Sequence, residues 1–161
     1  MDNFEISKSC FFTGHRVIPP SEKNRIRQKV ITLCTELIEH YGVTDFIAGG
    51  ALGFDTLAAL SVIELKKQYP KIKLHLFLPC TDQHSRWTAY QKQIWKSIKL
   101  AADDYRYITN TTYVTGCMQL RNRAMVESAQ FGIAYCTRNF GGTYSTVKLA
   151  KNANRNIVII K

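Results

Sequence analysis

Three short stretches of the chain carry residue types suited to holding an anion. They are Thr13-Gly14-His15-Arg16, Gly49-Gly50-Ala51-Leu52-Gly53-Phe54-Asp55, and the segment from Arg138 to Thr146 around Gly141-Gly142-Thr143-Tyr144-Ser145-Thr146. The third has the most direct mechanism. Two glycines let backbone approach an anion with no Cβ in the way. Thr143 or Ser145 is placed to cap the helix that follows, whose first amides point outward unpaired. Such a helix end suits phosphate. An ordinary glycine turn closed by a threonine cap has the same letters, so the companion stretches matter. Arg16 can grip two phosphate oxygens at once. His15 could donate to a ligand or lock its turn, and no nucleophile stands beside it in sequence.

The Gly49–Gly53 run is neither G-x-G-x-x-G nor a loop ending in G-K-[ST], so its glycines alone do not specify a nucleotide. Asp55 opens the next helix, where it could cap amides or accept a hydrogen bond from a ribose hydroxyl. Arg121 and Asn122 lie on a helix whose Met118, Met125 and Val126 read as core, and both could face the site; Arg123 reads equally as a surface charge. Trp87 and Tyr90 are candidates for stacking on a base, although most aromatics of an amphipathic helix pack on the sheet. His15, His40, His75 and His84 have no metal-ligand spacing, and no paired carboxylates stand out. The sequence therefore points to no metal and disfavours metal-dependent hydrolysis.

The elements that would position these residues alternate along the whole chain. Strands are predicted over 8–13, 43–48, 72–78, 105–109, 132–136 and 156–160. Helices are predicted over 21–40, from the 49–55 loop to about 68, and over 86–102, 119–129 and 143–151. Repeated alternation of this kind gives a mainly parallel sheet covered on both faces, with right-handed crossovers. The apolar run at 156–160 suggests a strand in the middle of the sheet, although a terminal strand can also sit at an edge. Each suspicious stretch follows a predicted strand, so parallel strands would bring all three to one sheet edge, where open α/β sheets bind ligands. No repeat or linker interrupts the pattern, and one domain is placed across 1–161.

Composition agrees with a folded domain. The 161 residues are 45% apolar, and 22 basic against 12 acidic side chains leave a net charge of +10. A chain of this length buries roughly 70% of its extended surface and needs no metal or disulfide staple. No apolar run reaches the ~18 residues of a membrane span. The first residues lack the features of a signal peptide. Five cysteines (Cys10, Cys34, Cys80, Cys117, Cys136), an odd number with no C-x-x-C pair, suit reduced, buried thiols in a cytoplasm. The positive balance favours an anionic partner without choosing between a phosphate ester and a nucleic acid. Much of it is accounted for by a solvated surface.

In order and spacing, these motifs resemble the YpsA/YoqJ-like family of the SLOG superfamily, itself similar to DprA/Smf and LOG-like proteins. The resemblance rests on Thr13-Gly14-His15-Arg16, Gly49 to Asp55, Pro79 with Trp87 downstream, Arg121-Asn122-Arg123-Ala124-Met125-Val126, and Gly141-Gly142-Thr143. It covers about residues 8–160. It implies a Rossmann-like three-layer α/β/α domain that binds or senses a nucleotide-related ligand. That ligand would be a phosphorylated small molecule such as a nucleotide or nucleotide-sugar.

LOG-like relatives cleave a nucleoside monophosphate with a glutamate in a Pro-Gly-Gly-x-Gly-Thr-x-x-Glu pattern. Phe140 to Val147 contains no such glutamate. YpsA-like relatives often place an acidic residue where this chain has Ser128-Ala129-Gln130. Two alternatives accompany the binding reading. One is an N-glycosidic nucleotide hydrolase or transferase in which Asp55 is the candidate carboxylate. The other is single-stranded DNA binding like that of DprA relatives. Self-association into a homo-oligomer is compatible with all three.

Overall fold

The computed structural model describes residues 4–161. In chain order the elements are β1 (Ser9–Gly14), α1 (Lys23–Tyr41), β2 (Asp45–Ala48), α2 (Phe54–Leu65), β3 (Lys73–Leu78) and α3 (Ala89–Ala101). They continue with β4 (Asp104–Tyr107), α4 (Cys117–Ser128), β5 (Phe131–Tyr135), α5 (Gly141–Asn152) and β6 (Asn156–Ile160). Every strand pairing is parallel, and the strand order is β4-β3-β2-β1-β5-β6. This is a Rossmann-like three-layer α/β/α architecture. The chain winds outward from β1 to β4, then returns to lay β5 on the other side of β1. The crevice beyond the carboxyl ends of β1 and β5 is thus the topological switch point.

Alternation along β1 builds both halves of the core. Cys10 and Phe12 face α1, α2 and α3, where they join Ile26, Leu57 and Trp95. Phe11 faces the other way and packs with Ile47 and Phe77 against Met125 and Val126 of α4 and Ala150 of α5. Fully burying one of these phenylalanines contributes roughly 1.5–3 kcal/mol. All five cysteines are free and buried. Burial pushes the Cys34 thiol up, out of the range in which it would ionise.

Local chemistry sets the helix ends. Gly42 closes α1 in the left-handed conformation at φ 66°, donating its amide to Leu37. Thr88 and Gln91 form a reciprocal capping box, so α3 starts at Ala89 and not at the predicted 86. The expectation that the last apolar strand lies mid-sheet is wrong: β6 is an edge. Its apolar run is only partly covered, with Ile160 buried, Ile157 and Ile159 half-buried, and Val158 exposed.

The amino ends of the strands carry a separate polar cluster. His75 of β3 is buried between Asp45 of β2 and Asp104 of β4, with Nε2 and Nδ1 each 2.7 Å from a carboxylate oxygen. Phe4 stacks on its ring at 4.4 Å. Burial works against the charged imidazole, but the two carboxylate hydrogen bonds outweigh it and raise its pKa. Burial likewise opposes ionisation of Asp45, yet hydrogen bonds from His75 and Thr44 hold its carboxyl below the usual value.

A candidate anion-binding cleft

Beyond the carboxyl ends of β1 and β5 lies a cleft of about 1130 Å³. It is large enough for a nucleotide, since small-molecule sites commonly run from roughly 300 to 1,000 Å³. Its walls are the end of β1 with the turn after it, the start of α2, α4, and the first turns of α5. Of the residues singled out in the sequence, Thr13, Gly14, His15, Arg16, Asp55, Arg121, Asn122, Gly141, Gly142 and Thr143 line it. Gly49, Gly50, Gly53 and Trp87 are not part of that lining.

The three glycines of the second stretch shape the wall from behind. Gly53 adopts φ 77°, and a Cβ there would fall on the carbonyl groups of His15 and Arg16. This close approach lets the Phe54 amide donate to the His15 carbonyl at 3.0 Å, tying the β1 turn to α2. A Cβ at Gly49 would meet the Arg121 guanidinium and Asp55 Oδ2. Gly50 faces Leu78, Gln83 and Trp95 on the other side of the loop.

Trp87 belongs to that other side. It stands edge-on to His84 at 6.4 Å and packs on the α1–α3 core, away from the cleft. The structure therefore does not bring Trp87 into the cleft wall with the other candidates. Tyr90 is exposed on α3 and is also absent from the cleft walls.

His15 reaches across to the β5–α5 loop. Its Nε2 accepts the Thr137 amide at 2.9 Å, which places the ring proton on Nδ1, and its ring stands edge-on to Tyr135. Burial and the neighbouring charge of Arg138 push its pKa down, so the ring is neutral near pH 7. This geometry ties the turn after β1 to the β5–α5 loop through Nε2 and leaves Nδ1–H as a donor at the cleft wall.

Arg121, which the sequence places on a helix with a core face and able to face the site, is only 5% exposed. Its Nη1 donates to the Gly49 carbonyl, its Nε to Asn122 Oδ1 at 2.8 Å, and its Nη2 meets only the Met118 sulfur at 3.9 Å. Asp55, also buried, accepts the Ala51 amide at 3.2 Å. Burial raises the Asp55 pKa, against the opposing pull of Arg121, the Ala51 amide and Arg16. Burial also lowers the pKa of Arg121.

Helix α5 starts two residues before the predicted 143. Thr143 and Ser145 therefore lie inside its first turns and do not cap it, and Phe140 at the N-cap makes no side-chain cap bond. Nothing lies within 4 Å of a Cβ built at Gly141 or Gly142. The first amides of α5 consequently open into the cleft without a side-chain partner. Arg16, Arg121, Arg123 and Arg138 also line it, against one carboxylate, Asp55. The sequence reading missed the apolar rim. Val17, Leu120 and Phe140 are 76%, 51% and 64% exposed at the cleft wall, and Phe140 directly before the glycine pair was the available signal.

Known proteins share this framework. The chain is 28% identical over 138 residues to the uncharacterized SPbeta prophage-derived protein YoqJ of Bacillus subtilis (strain 168), covering 79% of this chain and 81% of YoqJ. It is 30% identical over 120 residues to a UPF0398 protein of Bacillus pumilus, covering 73% of this chain and 64% of that relative. Two solved structures of DNA processing protein A share the fold. The Helicobacter pylori protein, studied for its single-stranded DNA binding mode, superposes with a TM-score of 0.67 at 20% identity, over 97% of this chain and 66% of that one. The Streptococcus pneumoniae protein gives 0.69 at 17% identity, over 95% of this chain and 50% of that one. The chain thus spans between half and two thirds of these longer proteins. The YspA SLOG family model matches residues 20–158, and the chain belongs to that family.

Proposed function

We propose that the cleft binds the phosphate of a nucleotide-related small ligand in a binding or sensing role. The observation that carries this reading is the uncapped Gly141-Gly142 start of α5, opening into an arginine-lined cleft at the switch point. The amides of Gly141, Gly142 and Thr143 cradle the phosphate, and the helix dipole favours its charge. Arg16 is exposed and free to neutralise ligand charge in the cleft. Ala51 and Asp55 face the sugar. Family membership supports a nucleotide-related role, and buried free thiols suit a reducing cytoplasm.

Binding is favoured over N-glycosidic cleavage because the first turn of α5 holds no acidic residue. The one carboxylate in the cleft wall, Asp55, already accepts an amide. A second reading, single-stranded nucleic acid, draws on the exposed Val17, Leu120 and Phe140 beside the arginines and on the likeness to the Helicobacter pylori protein. Bases stack on such apolar and aromatic surface while phosphates meet the cations.

Calorimetry with AMP tests the first reading. Gly142→Asp and Arg16→Ala should each weaken binding with the fold intact, and wild-type affinity in both variants rejects the assignment. Oligonucleotide titration at several salt concentrations tests the second, which requires affinity that grows with length and falls steeply with salt.

A further inference from the structure

Three of the four arginines that line the cleft fall into two groups. Arg138 stands at the α5 end, where its charge acts on His15. Arg16 lies in the turn after β1, whose backbone packs on Gly53 at the start of α2, and it lines the cleft together with Asp55 and Arg121, on which its charge acts. At this second group, two like charges share one neighbourhood. Among the described residues no carboxylate lies within ion-pair distance of either Arg16 or Arg121. Asp55 is near, but it is turned to the Ala51 amide.

Arg121 makes this arrangement demanding. A guanidinium has five N–H donors and no acceptor, and burying one is costly unless it is paired. Here Nε and Nη1 find oxygen acceptors, whereas Nη2 has only the Met118 thioether at 3.9 Å. A buried cation is thus held at the cleft wall by its own chain, with donors to spare and a second cation beside it. An anion arriving there satisfies the Nη2 donors and relieves the repulsion between the two arginines in one step.

Resting on the reading of this cleft as a nucleotide-phosphate site, we infer that its ligand carries two anionic groups. One sits at the Gly141-Gly142 amides and the other against Arg16 and Arg121. The cleft therefore prefers a nucleoside diphosphate, or a ligand of that charge class, to a monophosphate. Four arginines against one carboxylate leave an excess that a monophosphate of charge about −2 does not cancel, whereas a second phosphate adds roughly one more.

Calorimetry at fixed ionic strength with AMP, ADP, inorganic phosphate and pyrophosphate tests this on wild type, Gly142→Asp and Arg16→Gln. ADP should bind about tenfold or more tighter than AMP, and pyrophosphate tighter than phosphate. Arg16→Gln, at an exposed position, should shrink the ADP-to-AMP ratio to about threefold or less. If ADP and AMP bind alike and both depend on Gly142, the phosphate reading stands and the second anion subsite is overturned. An unchanged ratio in Arg16→Gln also overturns it. If neither nucleotide binds, or Gly142→Asp changes nothing, the phosphate reading itself fails and this inference fails with it.

Discussion

Gly53→Ala is the sharpest test of how the cleft wall is built. Gly53 sits at φ 77° and ψ −120°, a conformation that side-chain-bearing residues rarely adopt. Holding alanine there costs of order 1–3 kcal/mol. The new Cβ would also fall on the His15 and Arg16 carbonyls, which are backbone and cannot rotate aside. Overpacking of this kind adds roughly 1–3 kcal/mol. Alanine's smaller unfolded-state entropy returns only about 0.4–1 kcal/mol. The net loss is then about 1–5.6 kcal/mol, or a fall in Tm of roughly 2–20 °C for a chain of this size. Urea unfolding should show a lower midpoint with an unchanged m value. Because the Phe54 amide would be pulled from His15, anion affinity should fall as well. Gly142→Ala is the matched control: its Cβ meets nothing and its φ is not positive, so stability should stay level or rise slightly. Equal midpoints for Gly53→Ala and wild type would refute the reasoning.

Other perturbations have equally definite outcomes. The raised pKa of His75 means its contribution is complete below its unfolded value near 6.5 and is lost as pH climbs through the folded one. The lowered pKa of Asp45 means its contribution is present above about 4 and lost as pH falls through the folded one. Urea midpoints should therefore carry the full cluster contribution between about pH 4 and 6.5, and His75→Gln should flatten the alkaline fall. His75→Leu leaves Asp45 and Asp104 without their shared partner and should cost roughly 2–4 kcal/mol at pH 6, read from the same titrations. Thr88→Ala removes the α3 capping box for about 1 kcal/mol, and a loss confined to α3 amide exchange would locate it. Asp55→Asn removes the one negative charge from the cleft wall; phosphate should bind a few-fold tighter by calorimetry while thermal stability drops modestly.

The layers and the meeting of loops were legible because each rests on a local pattern. The Cys10-Phe11-Phe12 run and the 72–78 alternation show strands, and parallel strands send their following loops to one edge. Positions that depend on a neighbour from elsewhere were not legible. The 156–160 run has the composition of a central strand, and only the strand order makes β6 an edge. Gly141 and Gly142 read as a turn, which puts the start of α5 late and gives a capping role to residues already inside the helix. Arg121 reads as able to face the site, but nothing local reveals the Gly49 carbonyl that draws it inward. The glycines at 49, 50 and 53 drew notice as a ligand loop, whereas their contacts are with Arg121, Trp95 and Arg16. His75, Asp45 and Asp104 are unremarkable singly, and the register of three strands makes them one cluster.

The pairing of β1 with β5 also sets the order in which the molecule can be assembled. Cys10 is in register with Phe131, while β1 meets β2 through the much nearer Phe46. During synthesis, β1 to β4 can associate while one side of β1 still has bare backbone and the apolar Phe11 lacks the helices that cover it. Closing that side requires a loop of more than a hundred residues, a slow, non-local step. The cleft forms only with that closure, since its walls come from both sides of the junction. Ligand binding should therefore stabilise the completed chain and give no help to its earlier folding steps.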